Sequence, residues 1–352
     1  MAKTEGTLPL FPILDQAPSE EPSSALTGIA RMAAESDPSG EGHLVEFRTL
    51  HVGSVLNRSI SKRGLPFVWS INPYRGCEFA CRYCYARYTH EFMELRQPEE
   101  FERKIFLKQN AAWLLEQELR QVRPGEEIAL GTATDPYQPF ERQAKVTQSL
   151  LEVLARQQGL HLGIVTKSTL IERDIPLLSK IAERNTLVLH LTITTPDAQL
   201  ARLLEPRAPR PDLRLRTVAR LREAGLTTGI LCSPILPGIT DTVKALDSMV
   251  RRAKSARASF FSAQPLFLKP CSKPVYLSFV REHFPDLEEM YERRFSQAAF
   301  VSAAYRKRLS MLVKSVCQKH GLGGRPWEQK RTAQAFWEER RSSHGPDRAV
   351  VR

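Results

Sequence analysis

The chain has 352 residues, of which 42% are hydrophobic, and its formal net charge is +12. A chain of this size and apolar content is long enough to bury a sizeable core, as one large α/β domain or two small ones. No apolar run approaches the roughly 18 residues of a membrane span, and the N-terminus lacks the basic-then-apolar pattern of a secretion signal. Clustered cysteines without such a signal favour the reducing cytoplasm, where we expect the protein to act without a membrane.

Charge is unevenly distributed along the chain. Residues 1–46 carry a net charge of −6, and the remainder carries +18. A basic body is compatible with a nucleic-acid or other polyanionic partner. A well-solvated basic surface without such a partner explains the same charge count, so this alternative stays open.

The first predicted segment has no periodicity. Residues 1–45 are rich in Pro, Ser, Glu and Gly, a composition that predicts a largely disordered N-terminal segment. From about residue 65, strand patterns alternate with helical patterns. The strand patterns cover 67–71, 127–131, 162–166, 187–194, 227–235 and 258–263. The helical patterns cover 111–122, 146–154, 175–182, 212–224 and 240–253, and Thr240 or Asp241 is the expected N-cap of the last one.

This alternation predicts the fold class. Strands that alternate with helices form βαβ units and a parallel sheet with right-handed crossovers. Residues 65–270 are therefore predicted to form an incomplete (β/α)6, TIM-like barrel, with a flat doubly wound sheet as the competing topology. No Gly-x-Gly-x-x-Gly follows the first strand, which disfavours the dinucleotide-binding version of that sheet. Residues 271–320 are predicted to be a helical extension that covers the barrel's open side or bottom, and residues 321–352 a basic, poorly ordered tail.

Three cysteines fall within eight residues, at Cys77, Cys81 and Cys84. The spacing C-x3-C-x2-C brings three thiolates into one small volume with no fourth cysteine nearby. Three thiolates can hold three irons of a [4Fe-4S] cube and leave the fourth iron open, whereas such clusters normally have four cysteine ligands. Structural zinc with His90 as the fourth ligand is the alternative, although zinc sites usually come as two separated ligand pairs.

Polar residues follow four successive predicted strands. In barrels the chemistry lies at the C-terminal ends of the strands. Each of these residues taken alone is more often a turn or cap residue, but four polar strand ends in succession indicate a shared pocket. The residues are Thr134 and Asp135 after the second strand, Lys167 after the third, Thr192 and Thr194 at the end of the fourth, and Cys232 at the fifth.

The stretch from about residue 65 to 270 resembles the spore photoproduct lyase-like branch of the radical S-adenosylmethionine (SAM) enzymes, which includes bacterial proteins of largely unassigned function. The cysteine run with Tyr83 before its third cysteine carries part of the resemblance. The rest lies in the Thr-Asp-Pro-Tyr-Gln-Pro loop at 134–139, Thr-Lys-Ser at 166–168, Thr-Thr-Pro-Asp at 194–197 and Pro-Ile-Leu-Pro-Gly-Ile-Thr-Asp at 234–241.

The resemblance implies two cofactors and an activity. Cys77, Cys81 and Cys84 would hold a [4Fe-4S] cluster, and SAM would chelate its open iron. An electron donor such as flavodoxin or ferredoxin would reduce the cluster. Cleavage of SAM would then generate a 5′-deoxyadenosyl radical that takes a hydrogen atom from the substrate.

Charge and shape assign roles to the other residues within that resemblance, although none is assigned a catalytic role. Lys167 suits the SAM carboxylate, and Asp135 with Thr134 suits the SAM ammonium. Thr192 and Thr194 suit the ribose or the carboxylate, and Tyr83 offers an aromatic surface for adenine. Glu205 is either a ribose acceptor or a helix-end charge.

The chain departs from the resemblance at one place. Photoproduct lyases carry a hydrogen-donor cysteine in the loop that corresponds to residues 132–135, and this chain has Thr-Ala-Thr-Asp there. Photoproduct repair itself is therefore not expected, and nucleic acid is the leading substrate hypothesis for a lyase-like or other radical reaction. Cys232 could approach the same cavity, although a buried structural cysteine is the more common case. The alternative function is a non-catalytic zinc- or cluster-containing protein that binds nucleic acid or acts as a sensor.

Overall fold

The computed structural model describes residues 26–42, 45–59 and 67–324. Within these ranges, short 3-10 helices cover Tyr85–Arg87, Leu119–Gln121, Thr169–Asp174 and Pro285–Leu287. The strands are β1 (Pro38–Gly42), β2 (Val45–Leu50), β3 (Leu56–Arg58), β4 (Trp69–Ile71), β5 (Tyr74–Arg75), β6 (Lys104–Lys108), β7 (Glu127–Leu130), β8 (His161–Thr166), β9 (Thr186–Thr192), β10 (Thr228–Ile235) and β11 (Phe261–Pro265). The α-helices are α1 (Gly28–Ala34), α2 (Tyr88–Glu91), α3 (Glu100–Arg103), α4 (Ala111–Glu118), α5 (Glu141–Ala144), α6 (Val146–Leu154), α7 (Ile175–Arg184), α8 (Ala198–Leu204), α9 (Pro211–Glu223), α10 (Val243–Ser255), α11 (Lys273–His283), α12 (Glu288–Arg294) and α13 (Ala303–Lys319).

The central sheet has seven strands in the order β11-β10-β9-β8-β7-β4-β3. From β4 to β11 every neighbouring pair is parallel, whereas β3 pairs antiparallel with β4. The parallel strands thus lie side by side in chain order, as in a barrel, whereas a doubly wound sheet reverses its order at a switch point. In the described part of the chain the edge strands β3 and β11 do not pair, so the predicted incomplete barrel is confirmed.

Burial on both faces explains why the central strands read as apolar runs. Six of the seven residues of β9 are buried, and β10 is nearly as fully covered. Helices α7 and α9 pack on these strands. Parallel strands that are buried on both faces are expected to be almost continuously apolar. The polar groups of the sheet are therefore concentrated at the strand ends.

A second sheet of four strands, in the order β1-β2-β6-β5, positions the cysteine loop. Strand β5 pairs antiparallel with β6 and leads directly into that loop. Phe47 of β2 stacks on Phe140, with ring centroids 3.8 Å apart. This contact joins the second sheet to the loop that follows β7.

The expectation of disorder over residues 1–45 is wrong for residues 26–42, where α1 and β1 form. Backbone pairing with β2 holds β1 in place, so the strand needs no apolar periodicity in its own sequence. Ala30 and Ala33 of α1 are buried. Residues 1–25 lie outside the described ranges.

Several predicted ends shift because caps and turns set them. Helix α10 begins at Val243, and its N-cap is Thr242, whose hydroxyl accepts a hydrogen bond from Ala245 N at 3.2 Å. The predicted N-caps Thr240 and Asp241 instead accept hydrogen bonds from backbone N–H groups of the turn after β10, both at 2.8 Å. The last strand begins at residue 261 rather than 258, after Arg257 in the left-handed region with φ 57°.

Helix α8 was not predicted. Asp197 is its N-cap and accepts hydrogen bonds from Gln199 N at 2.8 Å and Leu200 N at 3.1 Å. A carboxylate that binds the free N–H groups of a first turn is a common start signal for a helix. This short helix leads to Glu205 at the site described below.

The C-terminal helices α11 to α13 occupy the predicted extension. Helix α13 packs on α10 and on the edge strand β11. No helix of the described residues has both the length and the apolar character needed to cross a membrane. Residues 325–352, most of the predicted tail, lie outside the described ranges.

Candidate active site

The cysteine loop begins directly after β5. Gly76 has φ 81°, and a Cβ there would lie 2.7 Å from Lys104 O and 2.8 Å from Phe101 O, so only glycine fits. Cys77 N donates a hydrogen bond to Phe101 O at 2.9 Å, and Cys84 N donates to Cys81 O at 3.1 Å. Backbone hydrogen bonds at both ends therefore fix the shape of the loop before any ligand binds.

The three cysteines of the loop are free thiols in a buried environment. Cys77 and Cys81 are buried and Cys84 is half-buried. Burial raises the pKa of Cys77, and the charges of Asp135, Cys81 and Cys84 raise it further. Burial also raises the pKa of Cys81, to about 12. The thiols thus lie within electrostatic range of each other, and a bound metal centre would displace their protons.

Structural zinc would require His90 as a fourth ligand beside the three thiols of the loop. Among the described residues, no three His, Cys, Asp or Glu side chains converge on a point that could hold one metal ion. The ring of His90 is buried, with Nε2 2.9 Å from Lys104 O, and burial lowers its pKa to about 4. Three thiolates on one loop suit a cluster, in which each thiolate binds a different iron.

Asp135 ties the loop after β7 to the end of β8. Its Oδ1 accepts hydrogen bonds from the Thr166 hydroxyl at 2.6 Å and from Tyr137 N at 2.9 Å. Its Oδ2 accepts from Lys167 N at 2.7 Å. A carboxylate has about four acceptor positions, so about one remains for the SAM ammonium. The neighbouring Thr134 hydroxyl donates to Tyr74 O at 3.2 Å and keeps its lone pairs free to accept.

Lys167 places a positive charge beside the cysteine loop. Its Nζ lies 5.7 Å from the centroid of the Tyr83 ring. Burial acts to lower the pKa of Lys167, but the charges of Cys81, Glu205 and Asp135 outweigh it, so the pKa is raised. The ammonium therefore stays charged at neutral pH, as its predicted role toward a carboxylate requires.

The end of β9 meets the cysteine loop at Tyr83. The strand ends at Thr192, so Thr194 lies in the connection to α8, and both threonines are buried. The Thr194 hydroxyl lies 3.0 Å from the Tyr83 hydroxyl and donates to Glu205 Oε1 at 3.0 Å. The Tyr83 hydroxyl also donates to Glu205 Oε1. Tyr83 of the cysteine loop, Thr194 after β9 and Glu205 after α8 thus come together here.

Glu205 and Arg214 form a buried ion pair that the sequence did not predict. Arg214 Nη2 lies 2.5 Å from Glu205 Oε2, and each side chain is only 1% exposed. Glu205 is the C-cap residue of α8, so it lies at a helix end as one interpretation held, and it is also paired with Arg214. The signal that could have revealed Arg214 is its place on the buried face of α9, with Thr217, Val218 and Leu221 at helical spacing.

The loop from Tyr137 to Glu141 is anchored by buried polar groups. Gln138 Oε1 accepts a hydrogen bond from Glu78 N at 2.9 Å, and Glu78 Oε1 accepts one from Phe140 N at 2.8 Å. Such bonds fix the loop, whereas Gln138 Nε2 has no hydrogen-bond partner among the described residues. Glu141, which is also buried, accepts hydrogen bonds from Tyr74 OH, Thr147 N, Gln148 N and Arg173 Nη2.

Cys232 lies against the connection that follows β9. Its Sγ donates a weak hydrogen bond to Thr194 O at 3.5 Å, and the side chain is buried. Burial raises its pKa to about 12. The cysteine is thus a protonated thiol in the wall of the site.

Comparison with known proteins agrees with this fold and site. The sequence profile of the Radical SAM superfamily matches residues 71–249. The uncharacterized protein Rv2578c of Mycobacterium tuberculosis (strain ATCC 25618 / H37Rv) is 31% identical over 306 residues, which cover 85% of this chain and 88% of that protein.

Solved structures of spore photoproduct lyase have a similar fold. A single-residue mutant of that enzyme has a TM-score of 0.58 at 14% sequence identity, with 88% of this chain and 86% of that chain covered. A double mutant with bound AdoMet and dinucleoside spore photoproduct has a TM-score of 0.56 at 13% identity, with the same coverage of 88% and 86%.

The chain belongs to the radical SAM superfamily, and it is a radical SAM enzyme. Membership of this family implies SAM and an iron–sulfur cluster as cofactors. The fold by itself leaves the substrate undefined, because one fold supports many functions.

Proposed function

We propose that this enzyme binds a [4Fe-4S] cluster through Cys77, Cys81 and Cys84 and reductively cleaves SAM. The observation that carries the proposal is the set of three free, mutually close thiols in one preformed loop. When bound, the cluster and SAM together supply one-electron chemistry that yields methionine and a 5′-deoxyadenosyl radical.

The chain's own residues would bind and orient SAM. Lys167 would hold the SAM carboxylate through its charge, and Asp135 with Thr134 would accept from the ammonium. The buried hydroxyls of Thr192 and Thr194 would bind the ribose or the carboxylate. The ring of Tyr83 would lie against adenine. Because these groups are largely buried, they would also exclude water from a reactive radical.

Nucleic acid is the proposed substrate class. The net charge of +18 after residue 46 supports this proposal, and so does the dinucleoside bound by a protein of similar fold. The reaction itself would differ from photoproduct repair, because residues 132–135 contain no cysteine. We place the enzyme in the cytoplasm, where flavodoxin or ferredoxin would reduce the cluster.

The test of the cofactor proposal is metal content and SAM cleavage after anaerobic reconstitution. We expect about four irons per chain, and 5′-deoxyadenosine after addition of dithionite and SAM. Cys81→Ala should lose both. Cys317→Ala is the matched control, because Cys317 is a buried free cysteine of α13 outside the cysteine loop. Zinc in place of iron, or a full cluster without SAM cleavage, would favour the non-catalytic sensing function instead.

The substrate proposal needs a separate measurement. Fluorescence anisotropy with a single-stranded and a double-stranded oligonucleotide should show binding that weakens steeply with salt, because phosphate contacts release counterions. Absence of binding at low salt would remove nucleic acid as the substrate class and leave the cofactor chemistry unaffected.

A further inference from the structure

The buried ion pair of Arg214 and Glu205 lies directly behind Tyr83. Arg214 makes three different contacts through its guanidinium group. Nη2 lies 2.5 Å from Glu205 Oε2, Nη1 donates to Thr192 O at 3.0 Å, and Nε donates to Pro209 O at 2.6 Å. Both side chains are 1% exposed. The position of Glu205 is thus fixed by an arginine that two backbone carbonyl groups hold in place.

Stability is a weak explanation for such a pair. Removing two charges from water costs several kcal/mol per ion, and replacing a buried pair by apolar residues is often neutral or stabilising. A buried pair at this cost is better explained by what the other Glu205 carboxylate oxygen, Oε1, does. Glu205 Oε1 accepts from the hydroxyls of Tyr83 and Thr194, so one carboxylate joins the cysteine loop to the end of β9.

Tyr83 is the point where this pair acts on the cofactor site. It lies between Cys81 and Cys84 in the chain, and the ammonium of Lys167 is 5.7 Å from its ring centroid. The backbone of the same loop is also held, since Arg82 N donates to Leu204 O at 2.9 Å. A tyrosine side chain has two rotatable bonds before its ring. Fixing the hydroxyl therefore fixes the direction of the ring.

We propose that Glu205, held by Arg214, is a positioning residue that orients the Tyr83 ring for SAM. This inference rests on the proposed function, because it assigns the orientation to a cofactor that the cysteine loop binds. The pair touches neither SAM nor the cluster in this proposal. The pair acts through the Tyr83 hydroxyl. Loss of the pair allows the Tyr83 ring to leave the orientation that binds SAM.

The first test compares two tyrosine-to-phenylalanine variants. Tyr83→Phe removes the hydroxyl that Glu205 holds. Tyr305→Phe is the matched control. The hydroxyl of Tyr305, in α13, donates to Asp241 Oδ2 at 2.8 Å, and Asp241 lies in the turn after β10. Both should keep the iron content of the wild type and lose a similar amount of thermal stability. Only Tyr83→Phe should weaken anaerobic SAM binding, by about tenfold, which is about 1.4 kcal/mol.

A spectroscopic readout separates positioning from general loosening. The EPR spectrum of the reduced cluster should change on addition of SAM in the wild type and in Tyr305→Phe. In Tyr83→Phe the same spectrum should be broader or heterogeneous at saturating SAM, because the ring occupies more than one orientation. Equal SAM affinity and equal spectra in the two variants would overturn the proposal.

The second test shows whether the ion pair acts through Tyr83. A double variant that combines Glu205→Gln with Arg214→Met removes both charges of the pair, so no unpaired charge stays buried. This double variant should weaken SAM binding as Tyr83→Phe does. Added to Tyr83→Phe, it should produce little further loss, because residues that act through one path are not additive. Fully additive losses would show that the pair acts by another route. If the double variant does not fold, the comparison of the two phenylalanine variants still decides.

The wild-type protein distinguishes the two proposals. Absence of iron and of SAM binding in the wild type would refute the proposed function. A wild type that binds SAM, together with a Tyr83→Phe variant that binds it equally well, would refute only the positioning role of Glu205.

Discussion

Two walls of the site each hold a buried carboxylate: the loop after β7 holds Asp135, and the segment after α8 holds Glu205. Different groups stabilise the two carboxylates. Asp135, after β7, accepts hydrogen bonds from a threonine hydroxyl and two backbone N–H groups. Its pKa is raised, because burial outweighs these bonds and the charge of Lys167. Glu205, after α8, faces Arg214. Burial acts to raise its pKa as well, but Arg214 and Lys167 outweigh burial, and the pKa is lowered.

The difference shows what each wall can do. Neutral donors fix the geometry of Asp135 but only partly compensate its charge, so this carboxylate is available to a cationic ligand such as the SAM ammonium. The charge of Glu205 is already neutralised by Arg214, so this carboxylate is suited to hold protein groups in place. One wall is therefore expected to bind the cofactor directly and the other to position a residue that does.

The largest expected effect comes from removing the counterion of Glu205. Arg214→Met leaves the Glu205 carboxylate buried without its counterion and should lower the free energy of unfolding by about 3–5 kcal/mol. Arg210→Gln is the control, because Arg210 pairs with Asp212 at the protein surface and its loss should change stability by less than about 1 kcal/mol. Urea unfolding of both variants measures the difference. Equal losses would show that the buried pair has no special role in the fold.

The fold was predictable because it depends on repeated local patterns. The alternation of apolar strands with amphipathic helices gave the parallel order of β4 to β11, and the pattern for α6 gave its bounds, Val146–Leu154. Element ends were less predictable, since single hydrogen bonds such as the Thr242 cap determine them. The small sheet was missed because β1 has no apolar periodicity and is held by backbone pairing, and because the buried run Ile105 to Leu107 of β6 is too short to show a period.

The residues of the site also divide into those with a local sequence signal and those without one. Cysteine spacing and polar strand ends predicted the residues that we propose contact the cofactors, because those signals are local in the sequence. Arg214 gave no local signal of function, since its role depends on Glu205 and Tyr83 from other elements. An arginine on the buried stripe of a helix, flanked by Thr217 and Val218, is the pattern that would have revealed it.

A second prediction concerns the buried ring of His90, whose Nδ1 has no hydrogen-bond partner in the described part of the chain. Burial lowers the pKa of His90 to about 4, below its usual value near 6.5. The unfolded chain therefore binds a proton before the folded chain does. Stability that is present above pH 6.5 should be lost as the pH falls toward 4, by up to about 3 kcal/mol.

His90→Gln tests this directly, because glutamine can still donate to Lys104 O but does not titrate. The wild type and this variant should converge in free energy of unfolding between pH 7 and pH 4. His51→Gln, at an exposed position, should follow the wild type throughout. Parallel pH profiles for the wild type and His90→Gln would contradict the prediction.

A substitution of Asp135 should have a smaller effect on stability than the loss of Arg214 and a clear effect on SAM binding. Asp135→Asn replaces an acceptor oxygen by an NH2 group that opposes one of its donors, and should cost about 1–3 kcal/mol of unfolding free energy. It should also weaken SAM binding, because the amide cannot attract the SAM ammonium by charge. Asp197→Asn is the control, since asparagine is an equally good N-cap for α8. Unchanged SAM affinity in Asp135→Asn would leave this wall with a purely structural role.

The smallest expected effect is at Cys232, which lies within β10 beside the connection that follows β9. Its thiol is buried and donates only to Thr194 O at 3.5 Å. If it is a packing residue, Cys232→Ala should lose about 1 kcal/mol of stability and keep both iron content and 5′-deoxyadenosine formation. Cys317→Ala, another buried thiol, should behave in the same way. If Cys232→Ala alone, and not Cys317→Ala, changes the yield or the fate of the radical, Cys232 takes part in hydrogen transfer. It would then have a chemical role in addition to its packing role.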